Sequence, residues 1–286
     1  WRTHAPRVIH GGHPSPYRSI NTVTRIAEAT DATSRYHRDD QDGTIVFNDA
    51  WAGAFFERRS TQCITPRGDV MTEQYSVVVP AYNAEAFLAD CLESVFSQTT
   101  PPSEVICVDD GSSDATSEIA RSYPAVTLIH QENQGCSSAR NAALRVATSS
   151  VIAFCDADDV WLPEKMTHQL TDFEGSVAAT YCATEEFVSG LSTMSGTRLP
   201  QTYCLPLTSC VVVRRAVFNQ TGLFDESLRD TEFIDWWSRA LAASVSVSVS
   251  NEVLVRRRIH ATNKSRKSYQ SPAEFLILAR RHRERM

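Results

Sequence analysis

From Tyr75 onward the chain alternates short apolar runs with amphipathic stretches, a regularity that residues 1 to 70 lack. "YSVVVP" is almost continuously apolar, the pattern of a strand buried on both faces. Next, "NAEAFLADCLESVFSQ" sets Phe87, Leu88, Cys91, Leu92 and Val95 at helical spacing, with Asn83 placed to cap the helix. "EVICVDD" predicts a second buried strand and "SDATSEIARSY" a second helix. "AVTLIHQ" predicts a third strand, and "GCSSARNAALRVAT" a third helix with Ala139, Ala142, Ala143 and Val146 on its buried side. "SVIAFCD" is a fourth strand, followed by "PEKMTHQLTDF", a helix with Pro163 in its first turn. Strands alternating with helices predict a doubly wound, mostly parallel α/β sheet. In such sheets the ligand crevice lies at the carboxyl ends of the strands.

Residues 1 to 70 are rich in His, Arg, Asp, Thr and Gly, and their best apolar segments are "SINTVTRIAEAT" and "TIVFNDAWAGAFFE". "MTEQYSVVVPAYN" looks like a natural beginning, so 1–70 is expected to be an extension outside the main domain. It is either an upstream reading of the gene or a small separate module. The domain itself is expected over 71–265, with a first half at 75–166 and a second at 167–265. Thr184–Pro206, rich in Ser, Thr and Gly, reads as a mobile loop over the second half.

Composition narrows the class. A hydrophobic share of 42% and a charged share of 22% suit an ordinary soluble globular protein. The eight cysteines show neither a CxxC pair nor metal-finger spacing, and several sit inside apolar runs, so they read as small buried hydrophobes. No apolar run approaches the roughly 20 residues that cross a bilayer. The expected location is the cytoplasm. Charge is uneven: from Arg256 to Met286 ten Lys and Arg face two Glu, and 266–286 reads as a basic C-terminal helix. That helix is either a solvated face or a peripheral contact to the inner membrane surface.

The candidate chemistry sits at the strand ends: "PAYN" (80–83), "DDGSSD" (109–114), "HQENQG" (130–135) and "DADDVW" (156–161). Neither GxGxxG nor GxxxxGK[ST] occurs, which disfavours a dinucleotide site and removes the P-loop class. Asp109, Asp110, Asp156, Asp158 and Asp159 crowd two strand ends and call for a cation, most simply Mg²⁺ or Mn²⁺ shared with a phosphorylated ligand. The plainer alternative, helix and turn capping, suits Asp114 but leaves the three aspartates of 156–159 unexplained. Tyr82 offers a flat ring to a nucleobase, or else packs on the sheet edge. Arg140, early in its helix, gains nothing from the helix dipole and calls for a phosphate, an aspartate or a surface salt bridge.

"VVVPAYNAEAFLADCLESVFSQ", "VICVDDGSSDAT", "NQGCSSARNAAL" and "IAFCDADDVWLPEKM" together resemble the conserved blocks of the family 2 nucleotide-sugar glycosyltransferases, which are inverting and have the GT-A fold. The resemblance runs from about Tyr75 to His260. It implies a nucleotide-sugar donor, UDP-linked by preference, and a carbohydrate, lipid-linked or other hydroxyl acceptor; no nucleic acid is implied. Pro80, Ala81, Tyr82, Asn83 and Glu85 would line the base, with Asp109 beside Asp110 and Asp110 facing the base's ring N–H. Arg140 would lie by the base or diphosphate. Asp156, with Ala157, would hold the ribose, and Asp158 the metal. Asp156 and His260 are further candidate ligands for that divalent cation, Mn²⁺ or Mg²⁺.

The family's catalytic base stands in an "ED" pair opening a helix that carries Trp and Arg. The matching segment is "RDTEFIDWWSRALA" (229–242), which puts Glu232 at the Glu but Phe233 at the Asp. Glu232 is therefore the first candidate base, Asp235 the second and Asp230 the third. "SCVVVRRAVFNQTGLFDESL" resembles the block ahead of that helix, and the basic ending with His260 resembles the family's last motif. Two other readings stay open: a chain that binds nucleotide sugar without turnover, prompted by Phe233, and a nucleotidyltransferase. The latter normally wants a Gly-rich basic loop after the first strand, which is lacking.

Overall fold

The apolar runs become strands in the order expected. In the computed structural model the described residues are 73–173, 175–188 and 201–263. To these are added Glu274, Ile277, Leu278, Arg280 and Arg281, and the ladder of His37–Arg38 with Ile45–Val46. The chain divides into two units, Trp1–Arg59 and Ser60–Met286. In the first, His37–Arg38 pairs antiparallel with Ile45–Val46. The rest of the two apolar segments named for 1–70 lies outside the described residues.

The second unit is built on one sheet. Strand β1 (Tyr75–Ala81) is buried along its whole length, as its unbroken apolar run requires. It pairs in parallel with β2 (Glu104–Asp109) on one side and β4 (Val151–Phe154) on the other. Beyond β2, β3 (Val126–His130) extends the parallel part. Helices α1 (Leu88–Phe96), α2 (Thr116–Arg121) and α3 (Cys136–Val146) connect these strands. Leu88, Cys91, Leu92 and Val95 of α1 are buried, as are Ala139 and Ala143 of α3, whereas Val146, expected on the same buried side, is exposed at the helix end.

Past β4 the pattern changes. β8 (Val211–Arg214) lies antiparallel to β4, with Val212 opposite Ala153, and antiparallel to β6 (Ala179–Val188). β9 (Val247–Ile259) runs parallel to β6, with two bulges between Val249 and Val255. It also takes β5 (Val160–Trp161) antiparallel on its far edge. The order is β3-β2-β1-β4-β8-β6-β9-β5, and β7 (Thr202–Tyr203) adds to β6. The parallel sheet is thus the first half only, and the whole is mixed. Helices α4 (Lys165–Thr171), α5 (Val217–Thr221) and α6 (Glu232–Ala242) complete the unit. Phe218, Phe224, Trp236 and Phe154 join α5 and α6 to the sheet through ring contacts, Phe218 and Trp236 being stacked at 5.0 Å.

Three local expectations are corrected. Asn83 is not a helix cap: α1 starts at Leu88, and Asn83 takes a left-handed φ of 48° in the preceding turn. Its Oδ1 accepts the Ser113 amide at 2.9 Å. Pro163 precedes α4, which begins at Lys165, and the Pro163 carbonyl accepts the Thr99 amide. Thr184–Pro206 is not loop throughout. Thr184–Val188 finishes β6, and Thr184 and Glu185 pair with Tyr203 and Thr202, because Thr, Phe and Val there suit a strand; 189–200 lies outside the described residues. No helix among the described residues is long and apolar enough to cross a membrane. The described cysteines are free thiols, mostly buried.

Candidate active site

A cleft of about 1160 Å³ opens along the carboxyl ends of β1, β2 and β4 and is closed on the far side by α6 and β9. At one end, Pro80, Ala81, Tyr82 and Asn83 form the wall, and the Tyr82 ring is 53% exposed, free to be covered. Asp110 is buried behind them. Its Oδ1 accepts the Gln131 side-chain amide at 2.7 Å and the Gln134 backbone amide at 2.8 Å; its Oδ2 accepts the Gly135 amide at 2.8 Å. The carboxylate therefore anchors the 131–135 loop and keeps one further acceptor position. Gly135 itself suits glycine, since its φ of +94° is a backbone conformation that L side chains rarely adopt.

Asp109 and Glu85 are not brought into the cleft lining. Asp109 is fully buried beneath the turn, accepting the Ser112 amide and the Ser117 hydroxyl and meeting His130 Nδ1. Burial alone would raise its pKa, but the hydrogen bonds from Ser112 and Ser117 outweigh that and hold it below the ordinary aspartate range. Glu85 faces away, its Oε2 accepting the Ala115 amide and its own amide donating to Asp114. Asp114 is a turn-capping residue, also receiving the Thr116 amide.

At the centre the "DADD" turn runs from β4 to β5, with the Asp159 amide donating to the Asp156 carbonyl. Asp156, Ala157, Asp158 and Asp159 all line the cleft. Arg140 reaches them from α3, with only 3% of its surface exposed. Its Nη2 is 2.8 Å from Asp156 Oδ1 and its Nη1 is 3.0 Å from Glu232 Oε1. Burial alone would depress this guanidinium, yet Cys136, Asp156 and Glu232 around it outweigh that and raise its pKa. Arg140 is thus a tie between the aspartate turn and the first residue of α6.

Asp158 Oδ2 lies 3.0 Å from His260 Nε2 and accepts the Asn263 amide at 3.1 Å. The His260 ring packs on Phe87 at 4.2 Å. Asp159 points inward: Ser209 Oγ donates to its Oδ2 at 2.6 Å and the Arg258 amide to its Oδ1. Burial, with Asp158 and Asp156 nearby, pushes its pKa well up. Asp156, Asp158 and His260 offer hard oxygens and one imidazole, a donor set that fits Mg²⁺ or Mn²⁺. Among the described residues no three His, Cys, Asp or Glu side chains form a ready cage, so any such ion would need further ligands from a bound molecule.

Across the cleft from these, Asp230, Glu232, Phe233 and Ile234 complete the lining. Asp235 does not. It is buried off the cleft lining, 2.9 Å from Arg239 Nε one turn along. Phe233 is 9% exposed and stacks on Trp237 at 6.1 Å, so its ring belongs to the aromatic packing of α6. Sequence reasoning missed several lining residues, among them Thr208, Ser209, Arg229, Arg257 and Glu186. Arg257 is tied to Glu186 at 3.2 Å and to the Tyr203 hydroxyl. Burial pushes the Tyr203 phenol up to about 12. Nothing in the sequence pointed to this pair, because Glu186 fell in the stretch read as loop and meets Arg257 only through the register of β6 with β9.

Residues 76–221 match the family described as "Glycosyl transferase family 2". The chain belongs to glycosyl transferase family 2. Among curated relatives, the uncharacterized glycosyltransferase RP339 of Rickettsia prowazekii is 28% identical over 70% of this chain and 68% of its own. Among solved structures, S. aureus TarS 1-349 in complex with UDP-GlcNAc superposes with a TM-score of 0.64 at 22% identity, covering 74% of this chain and 66% of that one. The mannosyltransferase PcManGT from Pyrobaculum calidifontis, in complex with GDP-Man and Mn²⁺, gives 0.56 at 18% identity, covering 68% and 59%. At these identities the structures establish the GT-A fold, and the chain spans about two thirds or less of those proteins' lengths. The family match ends before α6, whose part in the site rests on its own geometry.

Proposed function

We propose that this family 2 chain transfers a sugar, with inversion, from a nucleoside diphosphate sugar to a hydroxyl acceptor, with Glu232 as the general base. The observation that carries the reading is the Asp156–Arg140–Glu232 tie, which fixes a strand-end aspartate and a helix-end carboxylate in one cleft at 2.8 and 3.0 Å from a single guanidinium. Tyr82, Pro80 and Ala81 suit a base stacked at one end, with uracil the simplest choice beside Asp110. Asp156, Asp158 and His260 would hold Mn²⁺ or Mg²⁺, which when bound neutralises charge on the departing diphosphate. Arg140 keeps Glu232 oriented towards the space where the acceptor hydroxyl enters, and Glu232 takes its proton as the anomeric carbon is attacked from the face opposite the leaving group. Asp230 is the alternative base, since it shares the cleft; Asp235 is off it. The acceptor is a carbohydrate, a lipid-linked glycan or another alcohol.

A second reading, nucleotide-sugar binding without turnover, is prompted by Phe233, which stands in the sequence where the family pattern has an acid. Calorimetric titration with UDP, with and without Mn²⁺, combined with a nucleotide-sugar hydrolysis panel, separates the two. Metal-dependent UDP binding with turnover of one donor supports transfer. Binding with no turnover of any donor supports the second reading, and pyrophosphate release from an NTP would sink both.

A further inference from the structure

The C-terminal segment reaches back to the acceptor side through two charged side chains of opposite sign. Glu274 Oε1 accepts the Arg229 amide at 3.0 Å; its Oε2 accepts the Asp230 amide and the Thr231 hydroxyl, each at 3.0 Å. These three residues immediately precede Glu232, the first residue of α6. Both oxygens of one carboxylate are thus spent on the backbone and side chain of the loop that carries Asp230 and leads into Glu232. Seven residues on, Arg281 Nη1 is 2.7 Å from Asp225 Oδ2 and 3.7 Å from Asp235 Oδ1. Glu274 and Arg281 are both helical. Burial would raise the Glu274 carboxyl, but the hydrogen bonds from Arg229, Asp230 and Thr231 outweigh it and hold its pKa below the ordinary glutamate range.

We infer that Glu274 is a positioning residue for the acceptor side: the C-terminal segment clamps the 229–231 loop and so sets where Asp230 and Glu232 stand in the cleft. The inference rests on the reading of those carboxylates as the base candidates, and it reaches beyond the family match, which ends at residue 221. It also gives part of the basic tail an intramolecular task, since Arg281 is engaged by Asp225. A free loop could drift by an ångström, and misplacement on that scale costs on the order of a hundredfold in rate.

The test compares Glu274→Ala, Glu274→Gln and Glu274→Asp in the full chain, by three readouts. Amide hydrogen exchange at 229–231 should speed up in Glu274→Ala and return towards wild type in Glu274→Asp. UDP–Mn²⁺ affinity should stay within about twofold of wild type. Turnover of whichever donor the hydrolysis panel identifies should fall by roughly tenfold or more, in kcat rather than in donor KM, with partial rescue in Glu274→Asp. Unchanged exchange at 229–231 overturns the clamp. So does a loss in which UDP affinity, turnover and melting temperature fall together, because that describes a general structural role. If the wild type binds UDP but turns over no donor, transfer fails as a function while the exchange comparison alone decides the clamp.

Discussion

At the base end of the cleft, polar side chains are held by turns from the neighbouring strand end. Asp110 is fixed by amides 24 and 25 residues away, and Asn83 by one 30 residues away. At the end proposed to take the acceptor the ties are longer, and two of the three are ionic: Arg140 pairs with Glu232 across 92 residues and Arg281 with Asp225 across 56, while Glu274 holds the 229–231 loop by hydrogen bonds across about 44. Backbone amides in a turn are placed by the fold of the turn itself. A long-range ion pair is placed only when two separate elements have docked. The base end should therefore tolerate damage locally, whereas the acceptor end should lose geometry and stability together.

Arg140→Met gives the sharpest test of that contrast. It leaves Glu232, buried, without its guanidinium and frees Asp156, so chemical denaturation should show a loss of about 3–5 kcal/mol, with turnover abolished. A variant of near wild-type stability would break the comparison. Glu232→Gln comes next: donor turnover should fall by roughly 10²–10⁴-fold with UDP–Mn²⁺ affinity little changed, whereas Asp235→Asn, off the cleft, should lower the melting temperature and spare the chemistry. If Asp230→Asn rather than Glu232→Gln removes turnover, the base is misassigned. At the base end, Asp110→Asn puts an amide NH₂ against donors it cannot satisfy. The cost there is about 1–3 kcal/mol, read by calorimetry as weaker UDP binding without loss of fold.

The smallest effect lies away from both ends. Lys165 is fully buried, its Nζ 4.1 Å over the Trp161 ring, and burial lowers its pKa. With a folded pKa below the unfolded one, the penalty is fully present below the folded value and fades as pH rises towards the unfolded value of about 10.4. Lys165→Met should therefore stabilise the fold modestly at neutral pH, with the gain narrowing in alkaline melts. A gain independent of pH would mean that packing, and not the ammonium, sets the difference.

How much of this was legible beforehand follows from which interactions are local. The apolar runs of β1, β2 and β4 could be buried only in a sheet covered on both faces, so the strands and the polar ends they carry were readable residue by residue. The helix starts were less so: Asn83 looked like a cap, but its side chain is used by the Ser113 amide of another strand end, and α1 begins five residues later. The loop expected over 184–206 hid a pair of strand ends, because Thr184 and Glu185 show a partner only once Thr202 and Tyr203 lie beside them.

The sequence by itself determined the α/β alternation, the placing of polar clusters at strand ends and the family blocks, since each depends on residues within a few positions of one another. It also exposed Phe233 as the departure on the acceptor helix. Only the tertiary structure decided what Arg140 does, that Asp109, Glu85 and Asp235 face away from the cleft, and that Glu274 reaches the 229–231 loop. Direction and partner of a charged side chain are settled by which distant element arrives opposite it, and a charge leaves no periodic trace of that in the chain.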